Sequence, residues 1–160
     1  MKIKYITLAL AFFGLLLFGY SVSQASSFRT LSRNNIIVLT NRDRSELGLP
    51  PLKENQNLDL AASLKISDMG ENSYFAHISP LGKTPWYFLR RASYNFQAAG
   101  ENLAENFTDA QDLEMAWMKS PEHRANILNP EFTEIGVAEK QIKLGGRLEN
   151  ITVEYLAKPQ

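Results

Sequence analysis

The chain has no cysteine. Disulfides are therefore excluded as a source of stability, and so is a lipid anchor attached to a cysteine behind an export signal. Histidine is scarce, with only His77 and His123, and no His-Glu-x-x-His spacing joins them to a metal. No Gly-x-Ser-x-Gly elbow is present, which removes a common serine nucleophile. Net charge is also missing, since 17 Lys and Arg offset 17 Asp and Glu. Nothing in that balance points to a strongly basic surface for nucleic acid. Repeats and low-complexity tracts are absent. Charged residues make up 21%, too few for a disordered tail, while 44% apolar residues supply one real core over 160 residues.

What is present begins with an unusual start. Lys2 and Lys4 precede an apolar run from Ile6 to Phe18, and Ser23-Gln24-Ala25 offers small residues before a cut. This is the pattern of a signal peptide over residues 1–25. The run is short for a spanning helix, which needs about 20 residues. Extended to Val22, it would serve as an uncleaved N-terminal membrane anchor. Either way, the remainder is expected outside the membrane. Loss of residues 1–25 would take two lysines and no acidic residue, changing the formal charge from zero to −2. Residues 26–34 read as a polar linker and 35–158 as one domain.

Helical periodicity covers about Asn35–Glu46, through Ile36, Leu39, Thr40 and Leu47, with Asp43 blurring the stripe. Gly48 and Pro50-Pro51 end it. A second helix spans about Leu58–Glu71, with Leu58, Ala61, Ala62, Lys65 and Met69 on one face and Gly70 weakening its end. Thr84-Pro85 predicts a capped third helix carrying Trp86, Phe88 and Leu89. Phe96–Glu105 reads as a loop or short strand. Thr108 is expected to cap a helix to about Met118, buried through Ala110, Leu113 and Trp117. Ser120-Pro121 starts a short helix through Leu128. Ile135–Lys143 and Leu148–Leu156 form a hairpin about Gly145-Gly146. Helices first and strands later predict an α+β fold, with a small antiparallel sheet covered by helices.

Both histidines lie beside turn or helix-start chemistry, which favours use at a surface; the plainer alternative is an exposed or locally bonded ring. Glu101, beside Gly100 in an apolar stretch, needs a partner if buried. A histidine would suit it, because a carboxylate accepting one ring N–H fixes the tautomer and frees the other nitrogen. Ser120 reads as a helix cap bonding the backbone N–H of Glu122 or His123, with a catalytic serine the sharper alternative. Trp86, Tyr87 and Phe88 read as packing, with a stacking platform as the rival. Arg90 and Arg91 read as a solvated helix end.

Four ordered blocks then carry a resemblance. They are Leu39-Thr40-Asn41-x-x-Arg44 with Gly48-Leu49-Pro50-Pro51-Leu52; Phe75-Ala76-His77-x-Ser79-Pro80; Gly100-Glu101-Asn102-Leu103-Ala104; and Trp117-Met118-x-Ser120-Pro121-x-His123-Arg124-x-Asn126-Ile127-Leu128 with Glu134-Ile135-Gly136-Val137. Over about residues 36–157 the chain resembles the CAP (SCP-like) superfamily of cysteine-rich secretory proteins, venom allergens and plant pathogenesis-related proteins, in its cysteine-free bacterial branch. The resemblance implies a three-layer α–β–α sandwich and a cleft where His77, Glu101 and His123 converge, with Ser120 and Asn102 in support. Many eukaryotic members carry a second glutamate where this chain has Ser120, so one carboxylate is missing here.

Three functions follow as expectations. In the first, His77 and His123 bind zinc or another divalent metal, while Glu101 orients a ring or completes a two-histidine, one-carboxylate set. In the second, the same residues catalyse hydrolysis of a peptide, ester or cell-wall substrate, with Glu101 as base. In the third, the domain binds an extracellular lipid, glycan or protein without catalysis, with Trp86 and Phe88 as candidates if exposed.

Overall fold

A computed structural model describes residues 29–160. The segment read as a signal or anchor, residues 1–25, lies outside the described residues. Among the described residues no helix is long and apolar enough to cross a membrane.

Helix α1 (Arg33–Glu46) starts where the Ser32 side chain accepts from Asn35 N–H, and ends before Gly48, whose φ of +73° suits glycine. The two-residue β1 (Lys53–Glu54) leads into α2 (Gln56–Asn72), capped by Asn55 and closed by Ser73 in the left-handed region. Leu58, Ala61, Ala62, Lys65 and Met69 are all buried, so the expected face of α2 is the packed one. Gly70 does not end the helix; it lets Ile142 approach, with a Cβ there 3.4 Å from the Ile142 Cβ.

Helix α3 (Pro85–Arg91) has proline at its start but no side-chain cap bond from Thr84, contrary to expectation. Helix α4 (Ala110–Lys119) is capped by Asp109 rather than Thr108, because the Asp109 carboxylate accepts from Gln111 and Asp112 N–H. Helix α5 (Pro121–Ile127) begins at Ser120 without a side-chain cap bond, another correction. Here proline has no N–H to offer at the first position, and the Ser120 hydroxyl turns to other partners.

The largest departure is β2 (Phe96–Glu105), a ten-residue strand where a loop or short strand was expected. Glycine, glutamate and asparagine are poor strand formers, but β2 pairs antiparallel with β4 (Arg147–Pro159) along almost its whole length. That ladder outweighs local preference. Strand β3 (Glu134–Leu144) joins β4 through Gly145 and Gly146, both at positive φ, as a tight hairpin turn needs. The sheet order is β1-β3-β4-β2. The three long strands are antiparallel, while β1 adds parallel to β3, so the sheet is mixed.

Helices α2 and α3 cover one sheet face with Leu103, Val153 and Tyr155; α1, α4 and α5 cover the other with Ala104, Ile135 and Leu156. The result is α+β, in three layers. Gly136 shows how tightly they close, since a Cβ there would lie 2.2 Å from the Leu58 Cβ. On the second face, Arg44 is fully buried and donates to the carbonyls of Pro50, Ile127, Asn129 and Phe132. It pins α1 to the end of α5.

Candidate functional site

Strand alternation decides what β2 presents. Glu101 pairs with Tyr155, and Asn102 with Glu154. Successive side chains point to opposite faces, so Glu101 and Tyr155 share the α2–α3 side while Asn102 and Glu154 share the other. Because β2 is the sheet's edge strand, residues from both helical layers can reach it.

His77 comes from the segment joining α2 to α3. Lys65, fully buried on α2, donates to the carbonyls of Ala76 (2.7 Å) and His77 (2.8 Å), and to the Tyr74 hydroxyl (3.3 Å). Burial lowers the Lys65 pKa, and the charges of Glu101 and Asp68 oppose that fall. The other end of the segment is tied by the Ser79 hydroxyl, which accepts from Leu81 and Lys83 N–H. The His77 backbone is thus held by a cation whose stem lies in the core.

His77 Nδ1 lies 2.7 Å from Glu101 Oε1, and the Tyr155 hydroxyl donates to Glu101 Oε2 at 2.6 Å. The Glu101 side chain is 2% exposed and that of His77 is 55% exposed. A carboxylate oxygen accepts, so Nδ1 carries the shared proton and Nε2 is the nitrogen left for another partner. Burial, then the charge and hydrogen bond of Glu101, push the Tyr155 pKa well up. Tyr155 therefore stays a donor.

His123 sits on the first turn of α5. Its Nδ1 is 2.8 Å from Ser120 Oγ, and its ring stacks on Trp117 at 6.4 Å between centroids and 28° between planes. Burial, then the charge of His77, lower the His123 pKa, with Glu122 opposing. A neutral ring at physiological pH follows, and the two imidazoles lie within electrostatic reach of each other. Asn102 ties this side together: its amide donates to Glu154 (2.8 Å) and to the His123 carbonyl (3.4 Å), and its oxygen accepts from Asn126 (2.8 Å). Gly100 leaves room for this amide cluster, because a Cβ there would lie 2.6 Å from Asn126 Oδ1.

As a donor set the group is limited. Among the described residues no three or more His, Cys, Asp or Glu are grouped to hold a metal ion. Each oxygen of Glu101 accepts one hydrogen bond and its side chain is 2% exposed, an arrangement that suits orienting His77 better than completing a two-histidine, one-carboxylate set. The donors left for a metal would be one imidazole nitrogen from each histidine, with water in the other positions. Depressions of about 440 and 500 Å³ lie elsewhere, at the start of α1 and beside α5, with neither histidine in their walls. Phe88 is buried and Trp86 packs on Phe96 at 5.6 Å, so neither offers an open stacking platform.

Residues 37–155 match the model of the cysteine-rich secretory protein (CAP) family. The chain belongs to this family. It is 36% identical over 117 residues to the uncharacterized protein YkwD of Bacillus subtilis (strain 168), covering 73% of this chain and 46% of YkwD. An extracellular protein with an SCP domain from Bacillus anthracis str. Ames is 34% identical, with a TM-score of 0.68 over 79% of this chain and 40% of that one. An outer surface protein of Borrelia burgdorferi shares the fold at 23% identity and a TM-score of 0.67, over 78% of this chain and 90% of that one. The chain thus spans less than half the length of its Bacillus relatives.

Within this CAP domain, three contributors escaped the sequence reading. Tyr155 was placed only as a residue of the closing strand, yet a tyrosine facing a core needs a partner for its hydroxyl. Lys65 stood openly in an apolar stripe, where a lysine must find acceptors. Glu114 gave no such signal. It is buried on α4, where Thr40 bridges it to Glu154 at 3.2 and 3.1 Å.

Proposed function

We propose that this CAP domain works outside the cytoplasmic membrane and binds a divalent metal, zinc best of all, through Nε2 of His77 and of His123. The carrying observation is the 2.7 Å contact of half-exposed His77 with a buried carboxylate that Tyr155 locks from behind. Fixing Nδ1–H on such an acceptor is how proteins prepare an imidazole as a ligand. The neutral state favoured for His123 serves the same end. The apolar start of the chain and the extracellular and outer-surface relatives support the location.

A zinc ion held there would act as a Lewis acid with open positions for an oxygen donor of a ligand. The chain's own residues do the rest: Glu101 and Tyr155 orient His77, Lys65 holds its backbone, and Trp117 fixes the plane of His123. Binding is preferred over hydrolysis because Glu101, the proposed base, has both oxygens occupied.

Calorimetry with zinc at pH 7.5 tests this. We expect binding that weakens roughly 10-fold or more in His77→Ala and again in His123→Ala. No heat in the unaltered protein, or equal affinity in the double variant, defeats the proposal.

A further inference from the structure

We propose that Glu122 is a positioning residue for His123, acting through the Ser120 hydroxyl to keep the ring proton on Nδ1 and leave Nε2 bare. The His77 side needs no such device, because its Nδ1 meets a carboxylate directly. The Nδ1 of His123 instead meets a hydroxyl, which can donate or accept. Something further along must choose the direction.

Glu122 makes that choice. Ser120 Oγ donates to Glu122 Oε2 at 3.2 Å, and no backbone N–H takes the hydroxyl as a cap. The hydroxyl has one proton and two claimants. A carboxylate oxygen accepts, and Glu122 Oε2 lies within reach of the Ser120 proton while His123 Nδ1 sits on the hydroxyl's other side. Directing the proton to Glu122 satisfies both ends, since the Ser120 lone pair then accepts Nδ1–H from His123. The reverse order would face the carboxylate with an oxygen lone pair and leave an acceptor against an acceptor. Trp117 holds the ring plane, so the ring cannot readily swing to another partner. Both histidines would then show one tautomer through different chemistry, a direct carboxylate for His77 and a relayed one for His123.

The order also bears on Ser120. With its proton drawn toward Glu122, the hydroxyl is not poised to give it to His123. In the resting protein Ser120 acts as a link and not as a nucleophile.

The benefit to metal binding rests on the function proposed above, but the relay is tested without metal. Long-range ¹H–¹⁵N spectra of the metal-free full chain at pH 7.5 distinguish protonated from bare ring nitrogens. For the unaltered protein and for Ser120→Thr, which keeps the hydroxyl, His123 should show protonated Nδ1 and bare Nε2. In Glu122→Ala the freed Ser120 proton should turn to Nδ1 and move the ring proton to Nε2. Ser120→Ala should lose the preference for Nδ1–H, while the His77 signals stay in place in every variant. Bare Nδ1 in the unaltered protein, or a Glu122→Ala spectrum identical to it, overturns the relay. A normal spectrum without any zinc affinity sinks the metal reading alone. Where zinc does bind, Glu122→Ala should weaken it roughly 10-fold.

Discussion

Glu101 and Glu154 sit on paired strands, one register step apart, and point to opposite faces of the sheet. Both are buried, yet their surroundings differ. Glu101 receives a ring N–H and a phenol, and its histidine partner opens to water. Glu154 receives the Asn102 amide and shares a single Thr40 hydroxyl with Glu114, whose Oε1 has no hydrogen-bond partner. One hydroxyl cannot donate to two carboxylates. Burial and the charge of Glu154 push the Glu114 pKa up to about 9, and burial raises Glu154 as well. The buried pair therefore holds on to a proton that two separate carboxyls would release more readily. Donor supply separates a carboxylate able to steer a histidine from one that serves packing.

The largest effect should come from changing the closed face. A carboxyl with a raised folded pKa holds its proton more tightly folded than unfolded. Its contribution to stability is whole below the unfolded value of about 4.3, and is lost as pH rises through the folded value of about 9. Glu114→Gln should remove that dependence. Urea denaturation from pH 6 to 9 should show the variant gaining about 2 kcal/mol or more over the unaltered protein, at up to about 1.4 kcal/mol per pH unit. Parallel stability curves would mean that Glu114 is ionised or partnered, and the contrast between the faces would fail.

How much of this was legible depends on the range of the forces involved. Helices α1, α2 and α4 announced themselves through Ile36, Ala61 and Leu113, because amphipathic periodicity is local. The pairing of Glu101 with a histidine was legible through the oddity of a carboxylate in an apolar stretch, and His77 is that partner. Strand β2 was legible only as a loop or short strand, because the ladder partner that sets its length lies some fifty residues on. The expectation of a side-chain cap at Ser120 considers only the backbone of its own turn, whereas His123 and Glu122 compete for the same hydroxyl. The Thr40–Glu114–Glu154 group joins three elements, and nothing local marks it.

A smaller effect should come from the open face. Tyr155→Phe removes the donor to Glu101 Oε2 inside the core, leaving a buried acceptor unmet at a cost of about 1–3 kcal/mol. His77→Ala frees Oε1 on the side that water can reach, so its cost should stay under about 1 kcal/mol. Urea midpoints at pH 7.5 compare the two directly. If His77→Ala costs as much as Tyr155→Phe, water does not replace the ring, and the open face is less open than its exposure indicates.

The smallest change sharpens the comparison by linking the faces. Asn126 donates both to Asn102 on the closed face and to the Glu101 carbonyl on β2 itself, at 2.8 and 3.3 Å. Gly100→Ala would set a Cβ 2.6 Å from Asn126 Oδ1, the movable end of a side chain. The side chain can retreat, so the stability loss should stay below about 1 kcal/mol, at the low end for overpacking. The retreat, however, withdraws both hydrogen bonds together. Amide and ring signals of Asn102, His123 and His77 should therefore shift as a set in NMR spectra. A shift confined to Asn102 and His123 would show that the two carboxylate environments are independent, and that His77 owes its position to Lys65 and Glu101 alone.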